Sequence, residues 1–408
     1  MTRKLILFLA GIVSAIALAA QPLLVPQPQS VELREGTFAL TPRTGIVARC
    51  SATNVKLLEQ YLEEDIHIAL HERTGNNHIV LARTESLDSL LGDEGYRLTI
   101  SPDTILIEGA HDAGIFYGMQ TLRQLAVQDR LHIPCLQIID KPEYPWRDFM
   151  LDEARHFKGK AVVKQLLEEM AYLKMNTFHW HLTDDQGWRI EIEKYPRLTQ
   201  IGAYRDSSQI GGWNSPDYDV NVHGGYYTHD DIREIVAFAA ERHIRIVPEI
   251  EMPAHTNSSL AAYPQLACPV EDRFIGVLPG IGGKNSEIVY CAGNDSVFSF
   301  LEDVIDEIVE LFPSKYIHLG GDEASKVNWA RCPLCQARMK AEHIDHIEEL
   351  QSYFMTRMCD YVRSKGKEVM GWDELTNSTL PEGAIIYGWQ GLGKAALKAA
   401  EQGHRFVM

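Results

Sequence analysis

The chain has 408 residues, enough for two domains or for one barrel with an appendage. Acidic residues outnumber basic ones 56 to 39, and the formal charge of -17 argues against nucleic acid as a partner while suiting a neutral or cationic ligand. No apolar run beyond the N-terminus is long enough to cross a membrane.

Residues 1–20 open on Arg3 and Lys4, run through an apolar core from Leu5 to Leu18, and finish in small residues at Ala17, Ala19 and Ala20. That order reads as a secretory signal cleaved near Ala19 or Ala20. The mature protein is therefore expected outside the cytoplasm, in the periplasm, at the cell surface or secreted, with no membrane insertion after cleavage. Over residues 21–141 the strand signals IVLAR (79–83), YRLTIS (96–101) and TILIEG (104–109) alternate with helical stretches at Asn54–Arg73 and Ala113–Val127. These predict a small α/β domain resting on a sheet. Pro142 and Pro145, within IIDKPEYPW, break both helix and strand, and the domain boundary is placed there, leaving 142–408 as a second domain.

In that second domain short strand signals recur at Arg147–Leu151, Asn176–Leu182, Ile244–Ile250, Tyr316–Leu319, Glu368–Gly371, Ile385–Tyr387 and Arg405–Met408. Helical stretches lie between most of them: Val162–Leu173, Asp231–Arg242 capped by Thr228, Val297–Leu311 capped by Ser296, and Ile347–Arg363. Such alternation means a parallel sheet, either doubly wound or closed as a (β/α)8 TIM barrel. The residues after each strand favour the barrel. Asp152, Glu153 and Arg155 follow the first; His179, His181, Asp184 and Asp185 close the second; Glu249, Glu251 and His255 the third. Asp322 and Glu323 follow the fourth, Trp372, Asp373 and Glu374 the fifth, and Trp389 the sixth. A barrel gathers all those ends at one mouth, whereas an open sheet concentrates chemistry at one switch point. No glycine-rich phosphate fingerprint follows the first strand.

The stretch YIHLGGDE (316–323) carries the most chemistry. A buried-strand pattern runs into Gly320 and Gly321, which free the backbone so that Asp322 and Glu323 need not face opposite ways. Adjacent acids at a strand mouth suit proton transfer. The plain alternative is a surface turn with two solvated acids. A nucleotide-cyclase GGDEF signature is disfavoured, because Ala324 stands where Phe is required.

Seven cysteines in an exported chain permit disulfides. Cys268 and Cys291 bracket a Gly-rich loop, and a bridge between them is expected. The CPLC pair Cys332 and Cys335 reads as half a zinc site that nothing in the sequence completes, so a local bridge or free thiols is the preferred reading there.

Six motifs resemble glycoside hydrolase family 20, the β-N-acetylhexosaminidases: LDEARHF (151–157), HWHLTDDQGWR (179–189), EIEMPAHT (249–256), HLGGDE (318–323), GWDE (371–374) and YGWQ (387–390). The resemblance implies an exo-acting glycosidase that removes terminal GlcNAc or GalNAc from an N-acetylhexosamine-containing glycan, with retention and without metal or other cofactor. It implies that Glu323 is the general acid/base, with a pKa raised by a dry pocket and neighbouring carboxylates. The nucleophile would be the substrate's own acetamido oxygen, with Asp322 orienting the acetamido N–H and stabilising the oxazolinium ion. Arg155 would hold sugar hydroxyls, although an ion pair with Asp152 or Glu153 is its structural alternative. Asp184 and His255 would support Glu323, and Trp372 and Trp389 would wall the acetamido methyl, with Asp373 and Trp188 lining the site. The chain stops at Met408, within or just after its seventh strand signal, short of the tyrosine, tryptophan and eighth strand the family places next. The expectation is therefore a barrel truncated after about seven strands, with an incomplete pocket. Two rivals are a metal-dependent barrel hydrolase, prompted by the His179–His181 pair, and a sugar-binding chain that no longer catalyses.

Overall fold

The computed structural model describes residues 22–70, 75–212, 215–270, 274–280, 287–391 and 393–408. The signal expected over residues 1–20 lies outside them. The chain forms two compact units that divide between Glu143 and Tyr144.

The first unit is a six-stranded mixed sheet built from β1 (Ser30–Phe38), β2 (Gly45–Arg49), β3 (His78–Arg83), β4 (Tyr96–Ile100), β5 (Thr104–Gly109) and β6 (Ile133–Asp140), in the order β1-β6-β4-β5-β3-β2. In β4, Tyr96, Leu98 and Ile100 are buried while the residues between them are not, the alternation of a strand with one covered face. The covering helix α2 (Asp112–Gln128) packs on that face, with α1 (Ala52–Ile66) beside it. Helix α1 stops earlier than predicted. His67 takes a left-handed conformation (φ 58°), and its N–H turns back to Glu63 O at 3.1 Å, ending the helix. The sequence reading missed β1, β2 and β6. In β1 only Phe38 is buried, so no apolar alternation announces it.

The second unit is a curled parallel sheet. Its strands are β7 (Asp148–Asp152), β8 (Thr177–His181), β9 (Arg245–Met252), β10 (Tyr316–Gly320), β11 (Glu368–Trp372), β12 (Ile385–Tyr387) and β13 (Phe406–Val407), each hydrogen-bonded to the next in chain order. That consecutive parallel winding is the (β/α)8 barrel pattern rather than the reversed order of a doubly wound sheet. Curvature brings distant strands together: Tyr387 on β12 donates its hydroxyl hydrogen to Asp148 on β7 at 2.7 Å.

Helices α3 (Lys160–Tyr172), α4 (His229–Glu241), α5 (Asp295–Leu311), α6 (Pro333–Ala341), α7 (Ile347–Ser364) and α8 (Lys394–Glu401) occupy the connections. In α5, Val297, Leu301, Val304, Ile305 and Ile308 are buried at spacings of three and four, the stripe of a helix laid on a sheet. Helix α4 starts as predicted at Thr228, in a reciprocal capping box with Asp231. The cap of α5 is Asn294 rather than Ser296; its side chain accepts the Ser296 N–H at 3.0 Å, placing the start two residues earlier.

Candidate active site

Parallel register sets one row of inward groups. Asp152 pairs with His181, His181 with Glu249, and Glu249 with His318 across β7 to β10. Strand alternation explains why His179 and His181 share the inner face while Trp180 points the other way. Trp180 is buried against Phe178, Tyr227 and Phe312. Glu249 lies at the centre of the row, with His179 Nε2 at 2.8 Å, His318 Nδ1 at 3.0 Å and His181 Nδ1 at 3.4 Å. Burial opposes charge on both Glu249 and His181. Their attraction outweighs it, holding Glu249 well below the usual carboxylate range and, with Asp152 helping, pushing His181 up to about 9.

Above this row the backbone bends sharply. Gly320 (φ 66°) and Gly321 (φ 98°) lead into Asp322 and then into Glu323, itself left-handed at φ 47°. A Cβ on Gly320 would overlap the Glu251 carboxylate, so that glycine is required by space as well as by conformation. His255 is a second left-handed non-glycine residue, at φ 55°. Two such residues, each costing about 1–2 kcal/mol, face each other across the mouth.

The His255 ring joins four acids. Its Nδ1 stands 3.3 Å from Asp184 Oδ1 and 3.4 Å from Asp185 Oδ2. Its Nε2 stands 3.3 Å from Asp322 Oδ2 and 3.4 Å from Glu323 Oε2. Burial disfavours the imidazolium, but Asp184, Asp185 and Asp322 outweigh it and hold His255 well above its ordinary value. Arg155 completes the cluster, bridging Asp152 Oδ2 and Asp184 Oδ2 at 2.8 Å each. Its partners are thus Asp152 and Asp184 rather than Glu153, which instead accepts the Tyr227 hydroxyl and the Lys158 N–H at 2.9 Å. Asp184 is fully buried; burial pushes its carboxyl up, but His255 and Arg155 overcome this and hold it well below the usual range.

One expectation is overturned. Glu323 is not in a dry pocket: its side chain is 46% exposed, and its hydrogen bond with His255 lowers its pKa. The cationic imidazole outweighs both burial and the neighbouring carboxylates. Glu374, inside the GWDE motif, accepts the Glu323 N–H at 2.7 Å and the Gln390 side-chain N–H at 2.6 Å, fixing the backbone of the acid from the next strand end.

The aromatic candidates separate. Trp372 packs edge-on against His318 and Tyr387, with ring centres 4.7 Å and 5.9 Å away, and remains partly open. Trp389 is 49% exposed and meets the cluster through its backbone, donating its N–H to Asp373 Oδ2 at 3.2 Å. Asp373 is buried and takes the Gln390 N–H as well, tying the ends of β11 and β12 together. Trp188 does not line the site. It is buried, and its indole N–H donates to Ile190 O at 2.7 Å.

Sequence reasoning put Glu251, Asp185 and Glu374 at the strand ends that form the mouth but gave them no role. The signal for Glu251 was present: it lies two residues from Glu249, hence on the same face of β9. Buried beside Asp322 and Glu249, it has a pKa raised well above normal, first by burial and then by those charges. Glu251→Gln mimics the protonated form that these surroundings favour. A raised folded-state pKa contributes stability below the unfolded value of about 4.3 that is lost as pH rises. The variant should therefore gain stability relative to the parent between pH 4 and pH 8, as urea titrations would show; an unchanged difference would mean that Glu251 is ionised.

Among the described residues, the second unit holds two groups away from the mouth acids that could offer several ligand atoms to a metal: His179, Glu249 and His318, and the four cysteines Cys268, Cys291, Cys332 and Cys335; the first unit adds only the largely exposed Asp88, Asp93 and His111. The first group is fully buried and consumed by its own ion pairs. The second corrects the cysteine expectation. None of the four is bridged, and the CPLC pair meets Cys268 and Cys291 in one cluster.

Residues 144–408 match the "Glycosyl hydrolase family 20, catalytic domain" and residues 21–141 match "Glycosyl hydrolase family 20, domain 2". The chain belongs to glycosyl hydrolase family 20. The beta-hexosaminidase of Porphyromonas gingivalis is 37% identical over 402 residues, covering 94% of this chain and 49% of the relative. The beta-N-acetylhexosaminidase structure from Bacteroides fragilis superposes with a TM-score of 0.79 at 33% identity, covering 95% of this chain and 75% of that one. A family 20 exo beta-N-acetylglucosaminidase from Vibrio harveyi, solved with N-acetylglucosamine, gives a TM-score of 0.81 at 31% identity, covering 94% and 60% respectively. The chain thus spans about half the length of the P. gingivalis family member.

Proposed function

We propose that this family 20 chain carries the machinery of an exo-β-N-acetylhexosaminidase that releases terminal GlcNAc or GalNAc from glycans with retention, by substrate assistance. The observation that carries the reading is the unequal pair Asp322 and Glu323, consecutive in sequence and sharing His255 Nε2 at 3.3 Å and 3.4 Å. Asp322 is enclosed, while Glu323 reaches solvent. Two carboxylates in different surroundings divide the work of acid/base catalysis and charge stabilisation. Glu323 protonates the departing oxygen and later takes a proton from water. Asp322 accepts the acetamido N–H, raising the nucleophilicity of the acetamido oxygen, and faces the positive oxazolinium that forms.

In the open mouth Glu323 is held ionised by His255. A sugar seated over it removes water and adds desolvation, which raises a carboxyl pKa and favours the protonated acid when it is needed. Arg155, fixed by Asp152 and Asp184, presents its remaining donors to hydroxyls of the terminal sugar. Trp372, Trp389 and Asp373 are assigned to the acetamido side. Support comes from the six ordered motifs and from the N-acetylglucosamine held by the V. harveyi family member. Export belongs to the same reading, and protein recovered from the native host should begin near Gln21.

The deciding experiment compares nitrophenyl β-glycosides with and without the 2-acetamido group. The reading expects a loss of at least about a thousandfold in kcat/KM without it, since the internal nucleophile supplies an effective concentration no outside water can match. Equal rates would sink substrate assistance.

A further inference from the structure

The four cysteines lie away from the acid cluster, on two segments that flank it. Cys268 and Cys291 belong to the excursion between β9 and α5, while Cys332 and Cys335 follow β10, on the connection that starts with Asp322 and Glu323. All four are buried, and their sulfurs lie within 4.8 Å of one another. Cys268 and Cys335 sulfurs are 3.8 Å apart, and Cys291 is 3.7 Å from both Cys332 and Cys335. Four thiolates set tetrahedrally at about 2.3 Å from a zinc ion stand about 3.8 Å from each other, whereas a disulfide draws a pair to about 2.05 Å. The spacing is that of ligands around one ion.

The surrounding backbone is shaped for the same purpose. Cys332 caps α6 and Cys335 lies in its first turn, where unpaired N–H groups and the helix dipole favour thiolate. Gly293 packs so tightly on the Leu334–Cys335 peptide that any Cβ would overlap it, and its N–H donates to the Cys291 sulfur. The excursion is further pinned by Trp329, whose indole N–H donates to Tyr290 O at 2.9 Å, and by the Cys291 N–H to Leu266 O at 3.0 Å.

We propose that Cys268, Cys291, Cys332 and Cys335 bind one structural zinc ion that clamps the β9–α5 excursion to the segment following the Asp322–Glu323 pair. Binding releases four protons from four thiols and leaves a tetrathiolate complex of net charge about −2. Four protein ligands fill the coordination sphere, so no position remains for a reacting water and the ion serves folding rather than hydrolysis. The clamp does not depend on the glycosidase reading.

The test is metal and thiol analysis of the purified full chain, made without added chelator. Elemental analysis should find about one zinc per chain. Growth in cobalt-supplemented medium should give the intense visible absorption of a tetrahedral cobalt thiolate. Cys335→Ser should lose at least about tenfold in metal content, whereas Cys359→Ser, also buried but outside the cluster, should retain it. If Cys335→Ser fails to fold, the parent's zinc content and cobalt spectrum still decide. Metal-free protein overturns the proposal, whether its intact mass shows all seven thiols free or a loss of four hydrogens from two disulfides. Zinc retained in Cys335→Ser with no cobalt–thiolate absorption in the parent also overturns it, placing the ion elsewhere.

Discussion

Glu323→Gln should lower kcat on a β-N-acetylglucosaminide by about a hundredfold to ten-thousandfold, the usual contribution of a positioned acid/base. The fold should survive. The Glu323 side chain is 46% exposed, and the bond that fixes its backbone, from its N–H to Glu374, does not involve the substituted carboxyl. Unchanged unfolding beside collapsed turnover would therefore place the loss in chemistry. The loss should shrink with a nitrophenol leaving group, which needs little protonation. For Glu323→Ala, added azide should restore part of the rate and yield a β-glycosyl azide, because a small anion needs no general base to open the oxazolinium from the exposed face. A Glu323→Gln enzyme with parental kcat on an alkyl glycoside would remove Glu323 from the mechanism.

Asp184→Asn should destabilise the second unit by about 3–5 kcal/mol, the cost of breaking a buried ion pair from one side. The exchange is nearly isosteric, so packing is unchanged while Arg155 and His255 lose the charge that holds them. The pH dependence identifies the cause. Asp184 has a depressed folded-state pKa, so its contribution is present above the unfolded value of about 3.9 and is lost as pH falls through the folded one. Denaturant titrations should thus show a full gap between parent and variant at pH 7 that narrows toward strongly acid pH. A gap constant with pH would point to packing instead.

The chain order of strands and helices in the second unit was legible because each barrel strand is a short apolar run and each helix an amphipathic stripe, both local properties. So was the bend at Gly320 and Gly321, since two glycines before two acids announce it without reference to anything distant. Strands β1 and β2 were not legible, because a mostly exposed strand has no alternation to read, whereas β6 is largely buried and its apolar run IPCLQIID was a signal passed over. What tertiary structure decided was convergence. The family resemblance placed Asp184 and His255 beside Glu323, but nothing along the chain says that His255 touches Asp184, Asp185, Asp322 and Glu323 at once, and that contact turns the expected rise in the Glu323 pKa into a fall. Trp188 looked like a site residue by its motif and is core, because the face a side chain presents depends on which elements pack around it. The cysteines make the same point. Cys268 and Cys335 are 67 positions apart, and only the barrel, by setting β9 beside β10, brings their sulfurs to 3.8 Å. Local periodicity is written in neighbours, whereas charge coupling and ligand clusters depend on distances that the chain acquires only when its sheet curls.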